Sequence, residues 1–257
     1  MEIVVCIKQV PDVDDIKWTK ENNLDRSQML SKINQHDEWA LDWAMHIKSK
    51  FKDVGVTVVT MGPPQAKEML QYAIAKGADK AVLLSDRFFS GSDTIITAKI
   101  LARAIKKAVP DFDLILTGHV AQDGDTAQVP VSLAQLLSIP DTVGVSEIHN
   151  ADKNCAIVSQ KFGVHTDIFE VTTPCLLGIK APCRESNKPR IEDYIRAQNM
   201  AITEYDSFDL DFDKGDVGVL GSPTVVYRAF RPEINKQTIV INDDCSRTVL
   251  NFILGAR

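Results

Sequence analysis

The residues with the clearest capacity for chemistry form one continuous loop, which follows an apolar strand and opens a helix. Two glycines, Gly118 and Gly124, lie in this loop, and glycine lets backbone N–H groups approach a phosphate without a Cβ in the way. A strand–loop–helix turn also presents free N–H groups and the positive end of the helix to an anion. The sequence therefore predicts a nucleotide site here. The loop residues assigned to it are Gly118, His119, Val120, Ala121, Gln122, Asp123, Gly124, Asp125, Thr126, Ala127, Gln128 and Val129.

The same loop has other interpretations. Asp125 or Thr126 is a suitable N-cap, so the loop could be an ordinary connection between a strand and a capped helix. Asp123 and Asp125 could act as a carboxylate pair in acid–base chemistry or bind Mg²⁺, although beside a phosphate they are more simply caps. His119 could donate a hydrogen bond to a phosphate or a flavin. The loop alone leaves these alternatives open.

Turns after other predicted strands add polar groups and glycines at the same place. The carboxyl ends of parallel strands meet at one edge of a sheet, and open α/β sheets bind ligands there. Together the turns make a cleft of nucleotide size. The residues that these turns add to the site are Cys6, Lys8, Met61, Gly91, Ser92, Asp93 and Thr94.

Composition excludes several classes of protein. A hydrophobic content of 44% and a charged content of 25% are those of a globular protein, and the net charge of −6 argues against a general nucleic-acid binder. No stretch reaches the roughly 18 apolar residues of a membrane span, and the segment MEIVVCIKQVPD lacks the features of a signal peptide. The five cysteines and five histidines are scattered, which disfavours a metal site and favours a reducing compartment. We therefore expect a cytoplasmic protein without a bound metal.

The turns lie between short apolar runs typical of strands and segments whose apolar residues recur at helical spacing. Strand–helix alternation at this spacing predicts an α/β fold with a doubly wound, mostly parallel sheet. Trp39 and Trp43 lie one helical turn apart, which favours helix core over a flavin-stacking pair. The predicted strands are residues 2–8, 54–62, 80–85 and 111–118. The predicted helices are residues 36–51, 65–76, 94–109 and 126–137.

The alternation stops after residue 140. Strand-like runs without crossover helices fill residues 141–180, and we expect an antiparallel ribbon that extends the sheet. The C-terminal third has no obvious core of its own, so we divide the chain into an α/β domain, residues 1–185, and an arm, residues 186–257, that packs on a partner. The elements predicted in the arm are a helix at 191–200, an acidic segment at 204–216, a strand at 224–230 and a helix at 245–254.

Motifs along most of the chain resemble the beta subunit of electron-transfer flavoproteins. The combination is specific, especially GADKA followed by AQDGDTAQV. The resemblance implies a heterodimer with an alpha subunit that carries a mobile, electron-shuttling flavin. The motifs that carry it are VVCIKQVPD, NQHDE at residues 34–38, VTVVTMGPP, AIAKGADKAVLL, GSDTIITAKILARAIKK, LILTGHVAQDGDTAQVP and GSPTVVYRAFRP.

The resemblance also implies a nucleotide in this chain, which is AMP in simple carriers of the family and FAD in flavin-bifurcating complexes. The turn at residues 91–94 and the ending GSPT…FRPE look more like the bifurcating branch, in which NAD(H) meets the beta-subunit flavin beside that turn. A subunit of this type passes electrons through the alpha-subunit flavin to or from a partner dehydrogenase. By position, the nucleotide contacts would be Cys6, Asn34, Gln35, His36, Asp37, Met61 and residues 118–129.

Three departures from the family pattern indicate a specialised partner. The strand pair near residue 160 carries SQKFGVH where the family usually has an arginine and a Glu-Gly-Gly turn. Val13 and His36 replace aromatic residues that are common near the alpha-subunit flavin, and the lysine run after Tyr194 has become RAQN. We therefore expect a dedicated dehydrogenase in a fixed complex.

Two other classes share part of this pattern. A stand-alone adenine-nucleotide sensor would be a homodimer without electron transfer, and the arm without its own core argues against it. A nucleotide-dependent ligase or hydrolase would need a phosphate-transfer loop such as G-x-x-x-x-G-K-[ST], which the sequence lacks. A simple electron carrier with structural AMP in the same cleft also stays an alternative.

Overall fold

A computed structural model describes residues 1–12, 31–186, 188–225, 249, 250 and 254. The strands are β1 (Glu2–Cys6), β2 (Gln9–Pro11), β3 (Ser31–Ile33), β4 (Gly55–Met61), β5 (Lys80–Leu84), β6 (Leu114–Gly118), β7 (Asp141–Ala151), β8 (Cys155–Phe162), β9 (His165–Thr172), β10 (Cys175–Ile179) and β11 (Thr203–Tyr205). The helices are α1 (Gln35–Lys50), α2 (Lys67–Lys76), α3 (Thr94–Ala108), α4 (Val129–Leu137), α5 (Ile191–Gln198) and α6 (Gly218–Gly221). No helix in the described ranges combines the length and the apolar character that a bilayer crossing requires.

Nine of the described strands form one sheet in the order β11-β5-β4-β1-β6-β10-β7-β8-β9. The strands from β11 to β7 in this order pair in parallel, and β8 and β9 add an antiparallel edge. A separate antiparallel pair joins β2 to β3. Strands β1, β4 and β5 follow one another toward one edge of the sheet, and β6 then pairs with the other side of β1. The sheet is therefore doubly wound. The predicted fold class, a doubly wound and mostly parallel sheet with an antiparallel extension, is confirmed.

One strand of the predicted ribbon lies elsewhere. The sequence predicted a ribbon over residues 141–180, but β10 inserts between β6 and β7 and runs parallel to both. All five residues of β10 are buried. A strand that is apolar on both faces suits the interior of a parallel sheet rather than an exposed ribbon, and this burial accounts for the correction.

Apolar side chains fill both faces of the sheet. Ile3 and Val5 belong to one buried cluster with residues of α1 and α2, whereas Val4 and Cys6 belong to a second cluster with residues of α3 and α4. Successive side chains of a strand point to opposite faces, so a continuous apolar run buries itself on both sides. This explains why short, unbroken runs of Val, Ile and Leu were correct predictors of the central strands.

Helix α4 begins later than the sequence predicted. The predicted helix started at Thr126, with Asp125 or Thr126 as its cap, but α4 begins at Val129 and Gln128 occupies the N-cap position without a side-chain cap bond. Pro130 falls in the first turn, as predicted, because the missing N–H costs little there. Residues 118–128 therefore form a longer loop than expected, called loop 118–128 below.

The described part of the C-terminal segment packs on the α/β domain. Strand β11 pairs with β5, and α5 lies against α2. Leu210, Phe212 and Val217 are buried in the cluster that contains α3, and the guanidinium of Arg103 donates a 2.9 Å hydrogen bond to the carbonyl of Leu210. The acidic segment is thus held to α3 by its apolar residues. Packing of the arm on a partner stays a prediction, and the strand and helix predicted at 224–230 and 245–254 lie mostly outside the described residues.

Candidate nucleotide site

The carboxylate of Asp37 ties the start of α1 to the ends of two strands. It accepts a hydrogen bond from the N–H of Lys8 at 2.8 Å, just beyond β1, and one from the N–H of Gly118 at 2.9 Å, at the end of β6. The side chain is buried, and burial raises its pKa to about 7, against the opposing effect of these bonds and of the Lys8 charge. Both oxygens hold backbone in place, so Asp37 positions the site. A direct nucleotide contact by Asp37 stays a prediction.

Asn34 anchors the first part of the loop. Its side chain is fully buried, donates a 2.9 Å hydrogen bond to the carbonyl of Val120 and accepts one from the N–H of Gln122 at 3.1 Å. The backbone N–H of Asn34 donates to the carbonyl of Lys8 at 2.9 Å, and the amides of Gln35 and Gln122 meet at 3.5 Å. The motif NQHDE and the loop, about eighty residues apart in sequence, therefore form one rigid unit.

Beyond Gln122 the loop exposes backbone N–H groups. Residues 122–126 are exposed, and no acceptor among the described residues receives the N–H groups of Thr126, Ala127 or Gln128. Ala127 has a φ of 53° and precedes Gln128 in the right-handed helical region. Adjacent residues of opposite hand point successive N–H groups toward one side and make an anion-binding concavity. The start of α4 adds the positive end of its dipole.

The two glycines of the loop have different structural roles. A Cβ on Gly118 would lie 2.2 Å from the Oδ1 of Asp37 and 2.8 Å from the Cβ of His36. Gly118 is therefore required by the close approach of α1, a role that the sequence did not reveal, and its role beside a phosphate stays a prediction. A Cβ on Gly124 would meet no atom of the part of the chain that the structure describes within 4 Å, so Gly124 has open space beside it and lies two residues before the first of the N–H groups at residues 126–128.

Cys6 is the last residue of β1 and Lys8 lies just beyond it, and the two side chains have different environments. The Nζ of Lys8 lies 2.6 Å from a carboxylate oxygen of Asp123, and both side chains are accessible, at 45% and 26% exposure. An anion in the loop could therefore compete with Asp123 for this ammonium group. The thiol of Cys6 is buried, and burial, followed by the charge of Asp37, raises its pKa to about 12. A neutral thiol of this kind packs against its neighbours and is a poor nucleophile.

The turn at residues 91–94 meets the loop at the start of two helices. The hydroxyl of Thr94 donates to the Oε1 of Gln128 at 3.0 Å, and the carboxylate of Asp93 caps α3 by accepting from the N–H groups of Ile95 and Ile96 at 3.0 Å each. Met61, at the end of β4, packs against the cluster that contains α3. The structure thus brings the turns after β1 and β6 and the turn before α3 to one edge of the sheet.

A column of rings lies beside Gly118. The ring of His36 stacks on Trp39 with 4.8 Å between centroids and on His119 with 6.4 Å. Burial lowers the pKa of both histidines, with the charge of Lys180 as a further cause, and both are therefore neutral at pH 7. Trp43 is buried in the helix core and Trp39 packs against that core, as predicted, and Trp39 also contributes to this ring column.

Sequence reasoning missed two parts of the site. Residues 217–224 bond to the turn at 91–94, although the motif GSPT was noted only as part of a resemblance. Lys180, at the end of β10, was missed because β10 was expected in the ribbon and not beside β6. The position of Val13, which was expected near a partner's flavin, lies outside the described residues.

These features define the class of the protein, a doubly wound α/β domain in which loop 118–128 and the turn at 91–94 lie together at one edge of the sheet. A family profile described as "Electron transfer flavoprotein domain" matches residues 23–207. The chain is 42% identical to the caffeyl-CoA reductase-Etf complex subunit CarD of Acetobacterium woodii, over 90% of this chain and 88% of that one. It is 38% identical to an electron transfer flavoprotein subunit beta of Clostridium acetobutylicum, over 94% and 92%. Protein FixA of Azorhizobium caulinodans is 35% identical, over 95% and 89%.

The chain therefore belongs to the electron transfer flavoprotein family and, within it, to the beta subunits. The profile covers most of the α/β domain, and the relatives align over nearly their whole length.

Proposed function

We propose that this chain is the beta subunit of a cytoplasmic, heterodimeric electron transfer flavoprotein that binds FAD at loop 118–128 and NAD(H) beside the turn at residues 91–94. It passes electrons through the flavin of an alpha subunit to or from a dedicated dehydrogenase, by flavin-based bifurcation or confurcation. The observation that carries the proposal is the row of N–H groups at residues 126–128 that have no acceptor among the described residues, in a loop whose first part is held by Asp37 and Asn34.

The chemistry of the loop fits the diphosphate of FAD. The N–H groups of residues 126–128 are donors without an acceptor among the described residues, Lys8 supplies an accessible ammonium group, and Gly124 leaves open space beside them. The carboxylate of Asp123 pairs with the ammonium group of Lys8, and a bound diphosphate would replace Asp123 as the partner of that group. When bound, FAD supplies the redox chemistry, while the protein supplies binding and orientation.

The geometry at the start of α3 supports NAD(H) as the redox substrate. The fifteen residues of α3 direct the positive end of the helix toward the turn at 91–94. The bond between Thr94 and Gln128 joins that turn to loop 118–128, so two nucleotides bound at these places would be neighbours. The Acetobacterium relative, named as a subunit of a caffeyl-CoA reductase-Etf complex, supports a dedicated dehydrogenase rather than a general carrier.

The partner assignment draws on exposed apolar residues in the C-terminal segment. Ile191 is 79% exposed, Ile195 is 57% exposed and Tyr194 is 41% exposed, all on α5. Apolar side chains grouped on one short helix are typical of a protein contact. The names of the relatives, which include an Etf complex subunit and an electron transfer flavoprotein subunit beta, support an alpha subunit as the other half of the heterodimer.

The proposal is tested by the nucleotide content of the wild-type complex. The chain is co-expressed with its neighbouring alpha-type subunit, the complex is denatured with acid, and released FAD and AMP are counted per heterodimer. Two FAD with reduction by NADH support the proposal. One FAD and one AMP would replace it with a simple carrier whose AMP is structural. A homodimer with adenine nucleotide and no flavin would indicate the stand-alone sensor.

A further inference from the structure

The turn at residues 91–94 is held by a short segment from the other end of the chain. This segment, residues 217–224, is called the latch. The hydroxyl of Ser222 accepts from the N–H of Asp93 at 2.9 Å, and the hydroxyl of Ser92 accepts from the N–H of Gly218 at 3.1 Å. The bonded residues of the latch and of the turn are 129 and 126 residues apart in sequence. The contacts of the latch therefore depend on where the C-terminal segment packs.

Asp93 bonds both to the first turn of α3 and to the latch. One carboxylate oxygen caps α3, and the other accepts from the N–H of Thr224 at 3.1 Å and from its hydroxyl at 2.8 Å. The position of the latch and the position of the first turn of α3 are therefore set by the same carboxylate. Any displacement of Thr224 changes the hydrogen bonding of Asp93.

Two glycines let the latch and the turn interlock. A Cβ on Gly91 would lie 2.4 Å from the Cγ2 of Val219, and a Cβ on Gly218 would lie 2.2 Å from the carbonyl oxygen of Phe88. Both glycines have a positive φ, of 76° and 64°, which other residues rarely adopt. The close backbone contact leaves little room for the turn to move while the latch is in place.

The latch follows a segment of the chain that is fixed to α3. On its N-terminal side, Leu210 and Phe212 are buried against α3, so the segment that leads into the latch is anchored. On its C-terminal side, the sequence continues into residues 226–257, the remainder of the arm that we expect to pack on the alpha subunit. The latch is thus the part of the arm that bonds to the turn at 91–94.

We propose that Ser222 and Thr224 are positioning residues that hold the turn at 91–94 and the start of α3 in the conformation that binds a nicotinamide dinucleotide. The inference rests on the proposed function and adds a form of regulation to it. Because the latch is part of the arm, a partner that displaces the arm changes the affinity for NAD(H). By thermodynamic reciprocity, bound NAD(H) stabilises the latch by the same factor.

The test compares the wild-type heterodimer with Ser222→Ala and Thr224→Val, each of which removes a hydroxyl that bonds to Asp93. Thr224→Ser, which retains the hydroxyl, is the matched control. Since a typical hydrogen bond is worth about fivefold to tenfold in an equilibrium constant, we expect the dissociation constant for NADH to rise by about that factor in Ser222→Ala and Thr224→Val and to stay near the wild-type value in Thr224→Ser. The FAD content should equal that of the wild type in all four proteins.

Hydrogen exchange gives an independent readout. We expect NAD⁺ to slow amide exchange in residues 217–224 of the wild type, and to slow it less in Thr224→Val. Unchanged NADH affinity in both Ser222→Ala and Thr224→Val would overturn the positioning role of the latch while leaving the proposed function intact. Loss of FAD together with NADH affinity would also overturn it, since that result means general damage to the cleft. A wild-type heterodimer that binds FAD but not NADH would overturn both the latch and the NAD(H) part of the proposed function.

Discussion

The buried carboxylate of Asp37 gives the stability of this protein a specific pH dependence. Burial raises the pKa of Asp37 from its ordinary 3.8 to about 7. Between these two pH values the folded protein holds a proton that the unfolded chain has released. The contribution of Asp37 to stability is therefore fully present below about pH 4 and is lost as pH rises through 7. The difference in pKa corresponds to about 4 kcal/mol.

The perturbation that isolates this effect is Asp37→Asn, which removes the titration and keeps the shape of the side chain. The amide can accept only one of the two N–H bonds from Lys8 and Gly118, which costs about 1–3 kcal/mol at every pH. The pH-dependent part is separate. We expect the free energy of unfolding of the wild type, minus that of the variant, to fall by up to about 4 kcal/mol between pH 4 and pH 7.

The assay is urea unfolding of both proteins across that pH range, with Asp152→Asn as a control. Hydrogen bonds from the N–H groups of Asn154 and Cys155 lower the pKa of Asp152, so its contribution has the opposite sign and is lost as pH falls below about 4. Between pH 4 and pH 7 the difference between wild type and Asp152→Asn should therefore stay nearly constant, whereas the difference between wild type and Asp37→Asn falls. A difference between wild type and Asp37→Asn that is constant from pH 4 to pH 7 would refute the reasoning.

Three further substitutions test the packing around the site. Gly118→Ala should lower the free energy of unfolding by more than about 2 kcal/mol, because its Cβ would meet Asp37; a stable variant in urea unfolding would contradict this role for the glycine. Lys8→Met should change stability by less than about 1 kcal/mol, since the ion pair is exposed, yet should reduce FAD retention on dialysis; unchanged retention would remove Lys8 from the site. Leu210→Ala, at 2% exposure, should cost about 2–5 kcal/mol by urea unfolding, and a smaller loss would show that the C-terminal segment is only loosely attached to α3.

The central strands and their order were accessible to sequence reasoning because burial on both faces leaves a direct signature. Ile3, Val4 and Val5 are all fully buried, and such unbroken apolar runs distinguish a parallel sheet. The same rule could have identified β10, whose residues CLLGI are all buried. The strands that pair with β10, which are β6 and β7, were harder to predict, because pairing between distant strands depends on tertiary contacts that periodicity does not encode.

The site was predictable as a region, but not in its internal bonding. The loop after β6 was identified from its glycines and polar residues, yet Gly118 serves the packing of α1, and Asp125 does not cap α4. Asp93 was assigned to the cofactor, and the structure shows it bonded to Thr224. Such roles depend on which distant segment approaches each residue, and a single sequence carries little information about that approach.

The most direct test of the central claim is the number of FAD molecules per heterodimer in the wild type, Gly124→Val and Gly215→Val. A Cβ at either glycine would meet no atom of the described residues within 4 Å, so neither substitution disturbs the core. Of the two, Gly124 belongs to loop 118–128, whose N–H groups at residues 126–128 have no acceptor in the described ranges. We predict two FAD in the wild type and in Gly215→Val, and one in Gly124→Val, because the valine blocks the diphosphate. Two FAD in Gly124→Val would contradict the claim that loop 118–128 holds the flavin nucleotide.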